Sequence, residues 1–129
     1  KDEAREKIKK LSKIFDFSVS LPKKFEELSG GNIQKLGIIV TFLRDCDLYI
    51  LDEPTTALDP VSREKLFDYL NEICKNNNAA VLISSHNLDE MIHFSKKVFV
   101  MREAKIVFKG EMNEQSYDSI LNHIKGGTA

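Results

Sequence analysis

Leu48-Tyr49-Ile50-Leu51-Asp52-Glu53-Pro54 is the stretch whose reading decides the fold. An apolar run without alternation, Leu48 to Leu51, predicts a strand buried on both faces, as in a parallel sheet. The run stops at two carboxylates and a proline, so Asp52 and Glu53 fall where a strand opens into a loop. In open α/β sheets that carboxyl end is where ligands bind. Side chains alternate along a strand, so the two acids are free to take different tasks. One could help hold Mg²⁺ on phosphates while the other orients or deprotonates a water. Taken alone, the pair could equally do no more than end a strand.

Downstream, Asp59 and Pro60 supply an N-cap and a first-turn proline. Leu66, Phe67, Leu70, Ile73 and Cys74 then form the apolar face of a helix. Asn76-Asn77-Asn78 is a turn, and Ala80-Val81-Leu82-Ile83 reads as a second buried strand. His86 follows that strand at its carboxyl end, where it could bond a phosphate oxygen or stand as a loop residue without a task. Asn87 and Glu90 have capping-box spacing and open a short helix through Leu88, Met91 and Ile92. Val98–Met101 and Ile106–Phe108 flank a polar turn and predict a hairpin. Tyr117, Ile120, Leu121 and Ile124 mark a last helix, and the tail from Gly126 to Ala129 is expected to be mobile.

Upstream, Ala4, Ile8, Leu11 and Phe15, widened by Ile14, predict an opening amphipathic helix. Residues 16–27 lose that period, and Pro22 breaks any helix there. Leu28-Ser29-Gly30-Gly31 precedes a second helix carrying Ile33, Leu36, Ile39, Val40 and Leu43, with Ser29 as its N-cap. Free N–H groups at such a helix start form a phosphate site by geometry and dipole, and glycines admit a close approach. Ser-Gly-Gly is also simply a flexible turn.

The order strand, helix, strand, helix, hairpin, helix gives an α/β core, with the first two helices as a small helical lobe. The expected segments are 1–45 (helical lobe), 46–110 (α/β core) and 111–129 (last helix and tail). With 129 residues, 42% hydrophobic and 30% charged, the chain suits one small globular domain. A formal charge of −1 leaves no broad basic field, so no nucleic-acid partner is expected. No apolar run approaches the roughly 20 residues needed to cross a membrane. The opening Lys-Asp-Glu-Ala-Arg is not a signal peptide. Cys46 and Cys74 lack motif spacing and read as reduced packing residues.

Taken together and in order, Leu28-Ser29-Gly30-Gly31, Leu51-Asp52-Glu53-Pro54, Thr56-Ala57-Leu58-Asp59 and Ser85-His86 resemble the signature loop, Walker B strand, D-loop and H-switch of the ATP-binding cassette family. The resemblance runs from Leu28 through Gly110. It implies a partial P-loop NTPase (RecA-like) α/β fold, with the helical lobe carrying the signature motif. It also implies ATP and Mg²⁺ as cofactors, with Asp52 on the metal through its water shell and Glu53 as general base. His86 would contact the γ-phosphate. Ser29, Gly30 and Gly31 would meet the ATP of an opposite subunit, with Asn32 and Gln34 extending that loop and Lys35 fitting the pattern. Asn32 stands where glutamine is commonest. Asp59 would lie at the interface linking the two sites.

The family pattern also has a phosphate loop, Gly-x-x-x-x-Gly-Lys-Ser/Thr, which these residues do not contain. The chain therefore resembles the C-terminal half of a nucleotide-binding domain, inactive alone, with open sheet edges prone to self-association. The implied parent is a transporter ATPase on the cytoplasmic face of a membrane, working head-to-tail with a second nucleotide-binding domain and bound to a transmembrane permease. The alternatives are a cassette ATPase of translation or DNA repair, and a non-catalytic module lending its signature loop in trans.

Overall fold

A computed structural model describes residues 2–17 and 28–126. The chain folds as two compact units, Lys1–Ser84 and Ser85–Ala129. The first holds α1 (Asp2–Ile14), α2 (Gly30–Thr41), β1 (Leu48–Asp52), α3 (Pro60–Asn76) and β2 (Ala80–Ser84). The second holds α4 (Leu88–Phe94), β3 (Lys97–Arg102), β4 (Lys105–Glu111) and α5 (Glu114–Lys125). The breaker expected around Pro22 lies outside the described residues. Among the described residues no helix is long and apolar enough to cross a membrane.

In the first unit, local chemistry sets the helix starts. Ser29 is the extended N-cap of α2, its hydroxyl accepting from the Asn32 N–H. Asp59 caps α3 and accepts from the Ser62 N–H, with Pro60 in the first turn. The strands β1 and β2 are parallel neighbours, with Asp52 beside Ser84 in the register. Leu11, Phe15, Phe42, Leu66 and Phe67 are fully buried and knit the helices to the strands. Phe42 stacks edgewise on Tyr69 at 5.0 Å and lies 5.2 Å from Tyr49, so one aromatic group joins the end of α2 to β1 and α3. That cluster explains why β1 and α3 group with the opening helices rather than with the later hairpin.

Two expectations need correction here. The strands are not buried on both faces: Tyr49 and Leu51 point inward, while Leu48 is 53%, Ile50 67% and Leu82 51% exposed. α3 covers one face of the pair, and a strand's period of two sends every other side chain to the opposite face. Cys46 and Cys74 are both exposed rather than packed. Cys74 follows buried Ile73 on α3, and one helical step of about 100° turns it to solvent.

In the second unit, β3 and β4 pair antiparallel. Glu103 and Ala104 join them with φ of 49° and 60°. Two left-handed residues in a row match the type I′ geometry that suits a twisted hairpin. Asn87 caps α4, accepting from the Glu90 N–H. A reciprocal Asn113–Ser116 capping box opens α5, whose Ile120 is fully buried. The Tyr117 hydroxyl donates to Asp89 at 2.8 Å and ties α5 to α4. Gly126, expected in a mobile tail, is the left-handed C-cap of α5 with φ 83°.

Candidate functional site

The carboxyl ends of β1 and β2 bring Asp52, Glu53 and Ser84 together. Asp52 is exposed, and its carboxylate accepts a hydrogen bond from the Ser84 hydroxyl. The Glu53 N–H reaches back across the strand pair to the Ser84 carbonyl at 3.2 Å and to its Oγ at 3.0 Å. Glu53 has φ 45°, in the left-handed region that costs a residue with a Cβ. The chain therefore turns sharply at Glu53, and its carboxylate leaves the strand direction. Thr56 Oγ1 donates to Glu53 Oε2 at 3.3 Å.

The loop after Glu53 is packed. Pro54, Thr55 and Leu58 are buried, and Thr56 N–H donates to the Glu53 carbonyl at 3.3 Å. The start of α2 rests on this loop. Gln34 Nε2 donates to the Pro54 carbonyl at 3.0 Å, and Lys35 Nζ lies 3.5 Å from Asp59 Oδ2. A Cβ added at Gly31 would meet the Ala57 carbonyl oxygen at 3.1 Å, so glycine lets helix and loop close up. A Cβ at Gly30 would meet nothing within 4 Å, so packing in this chain does not demand glycine there. Ser29, Gly30 and Asn32 are exposed.

Asp59 has three partners: the N–H and hydroxyl of Ser62, at 2.9 and 2.6 Å, and Lys35. The Ser62 hydroxyl and N–H, with the Lys35 charge adding to them, hold its carboxyl well below the ordinary carboxylate range. His86 lies in the second unit, exposed, directly before the N-cap Asn87. Asp52, Glu53, Gly31, Gln34 and Asp59 thus form one connected set in the first unit, with Ser29, Gly30 and Asn32 at its helix start.

Residues 7–91 match the family described as "AAA domain, putative AbiEii toxin, Type IV TA system". The energy-coupling factor transporter ATP-binding protein EcfA2 of Acetivibrio thermocellus is 31% identical over 111 residues, covering 85% of this chain and 40% of the relative. The phosphonates import ATP-binding protein PhnC of Treponema denticola is 35% identical over 88 residues, covering 68% of this chain and 34% of the relative. The chain belongs to the AAA-domain family, in its ATP-binding cassette form. It spans well under half the length of these curated relatives. A solved structure described as the ATP binding subunit of an ABC transporter superposes with a TM-score of 0.78 at 24% identity. It covers 99% of this chain and 52% of that one, and it shows the cassette's P-loop NTPase fold.

In this cassette chain, no group of three or more His, Cys, Asp and Glu among the described residues is placed to hold a metal ion by itself. One exposed carboxylate, Asp52, fits Mg²⁺, which keeps most of its waters and binds through one or two carboxylates plus substrate phosphates. Sequence reasoning missed Ser84 and Ser62. Ser62 lies three residues after Asp59, within reach of the same capping signal, whereas nothing local singles out Ser84. Ser84 gains its place only from the parallel register that sets it beside Asp52.

Proposed function

We propose that this chain supplies the metal-holding and water-activating part of an ATP hydrolase that drives transport across a membrane. The observation that carries the reading is the Asp52–Glu53 pair at the carboxyl end of β1, held by Ser84. The names of the two curated relatives, both ATP-binding proteins of transport systems, support it.

On this reading Asp52 takes Mg²⁺ through its water shell. Mg²⁺ held there would supply positive charge to the phosphates. Glu53 accepts a proton from the attacking water, its carboxylate turned out of the strand by the left-handed backbone. His86 contacts the γ-phosphate. Ser29, Gly30 and Gly31 present helix-start N–H groups to the ATP of a second cassette docked head-to-tail, with exposed Asn32 extending that loop. Gln34 and Asp59 hold that loop and the interface in register. A transmembrane permease is the second partner, which places the protein at the cytoplasmic face of a membrane.

The test is Glu53→Gln in the full-length protein that contains these residues. Hydrolysis is expected to fall by about 10²-fold or more, as for loss of a general base, while ATP binding persists. Unchanged turnover would remove Glu53 as the base.

A further inference from the structure

The Ser84 side chain faces the two acidic residues in different chemical senses at once. Its hydroxyl hydrogen goes to the Asp52 carboxylate, and its oxygen accepts the Glu53 N–H at 3.0 Å. A hydroxyl has one donor and two acceptor sites, so one Ser84 Oγ serves both neighbours without conflict. No apolar side chain can do either, and a carboxylate there would repel Asp52. The parallel register puts Ser84 directly opposite Asp52, one residue before the turn at Glu53. Glu53 sits at φ 45°, a backbone state that persists only where surrounding bonds hold it. Its N–H is shared between the Ser84 carbonyl and hydroxyl.

We infer that Ser84 is a positioning residue for the reaction, fixing the rotamer of Asp52 and the left-handed turn at Glu53 with a single hydroxyl. Bonds that orient a metal-holding carboxylate change metal affinity or activity by about 10- to 100-fold when lost. The bonds seen for the Ser84 hydroxyl run to the two acidic residues. Ser84 decides where the two acids point, so its removal acts on Mg²⁺ use and turnover rather than on the affinity for ATP. This inference rests on the hydrolase reading for its kinetic consequence, but not for its geometry.

Ser84→Thr and Ser84→Val test it as a pair. The two side chains are nearly isosteric and both suit a strand, so a difference between them reports the hydroxyl. In the full-length protein, Ser84→Val is expected to raise the Mg²⁺ concentration for half-maximal hydrolysis by about 10-fold or more. It should lower kcat and leave the KM for ATP within about 2-fold of the parent, because the affected contacts form late in the reaction. Ser84→Thr is expected to restore both quantities. In this 129-residue chain, hydrogen exchange at the Glu53 amide should speed up in Ser84→Val and not in Ser84→Thr. Equal Mg²⁺ dependence and equal Glu53 exchange in the two variants would overturn the inference. If the full-length parent shows no hydrolysis, the functional reading falls, and the amide measurement alone decides the role of Ser84.

Discussion

Gln34 Nε2 donates to the Pro54 carbonyl at 3.0 Å, which fastens the first turn of α2 to the loop that leaves Asp52 and Glu53. Lys35, its side chain only 14% exposed, reaches Asp59 at the far end of the same loop. Two side-chain contacts therefore tie the helix that starts at Gly30 to the loop that follows the acidic pair. Gln34→Ala leaves the Pro54 carbonyl without its donor and is expected to destabilise the chain by about 1 kcal/mol in urea unfolding. An unchanged midpoint would show that the bond contributes nothing.

Gly30 and Gly31 should separate in a mutational test. Gly30→Ala meets open space and is expected to leave stability within about 0.5 kcal/mol of the parent. Gly31→Ala pushes against the Ala57 carbonyl at 3.1 Å and is expected to be the less stable of the two by thermal unfolding. If Gly30 faces the ATP of a second cassette, Gly30→Ala alone should still lower hydrolysis by the full-length protein. A Gly30→Ala protein of parental activity would argue against that contact.

Asp59 carries a pH dependence of definite sign. Its folded carboxyl lies below the ordinary value, because the Ser62 donors and then Lys35 favour the charged form. Its contribution to stability is therefore fully present above the unfolded carboxylate value of about 3.9. It is lost as pH falls from there through the folded value. Asp59→Asn keeps an oxygen for the cap and removes the charge. The variant should be less stable than the parent at pH 7, with the gap narrowing below about pH 4. A gap that stays constant into acid would show that the charge is irrelevant. Solvent screening keeps this contribution modest, since the carboxylate is 53% exposed.

These 129 residues contain no Gly-x-x-x-x-Gly-Lys loop. That loop's N–H groups and lysine cradle the phosphates, and phosphoryl transfer depends on such positioning. The chain by itself is expected neither to bind ATP tightly nor to hydrolyse it. Tight binding in titration calorimetry on these residues would defeat that expectation.

Leu48, Ile50 and Leu82 lie on the exposed face of the β1–β2 pair. Contiguous apolar surface of this kind favours association, and unpaired strand edges add to it. The chain is expected to self-associate in light scattering, and Ile50→Lys with Leu82→Lys should shift it toward monomer. A parent chain that runs as a clean monomer counts against this.

Much of the fold was legible in the sequence because its signals are local. Ser29 before Gly30-Gly31, Asp59 before Pro60, and Asn87 three residues before Glu90 each act through bonds within one turn. The hairpin and the last helix announced themselves in the same way, through period and turn. Asp52 and Glu53 were legible as two acids closing an apolar run, and gained meaning only from the other motifs that stand in order around them.

What the sequence could not carry was which faces of β1 and β2 are covered, since an apolar run looks the same whether one face or two is packed. Nor could it show that Ser84 holds both acids or that Gln34 is turned onto Pro54. Each of those depends on a neighbour distant along the chain: Ser84 stands 32 positions from Asp52, and Gln34 stands 20 from Pro54. Sequence alone thus determined the elements, their caps and the acidic pair. The parallel register and the packing of α2 on the loop decided how the acids are aimed, because only tertiary contact sets the partners of a hydrogen bond that spans the chain.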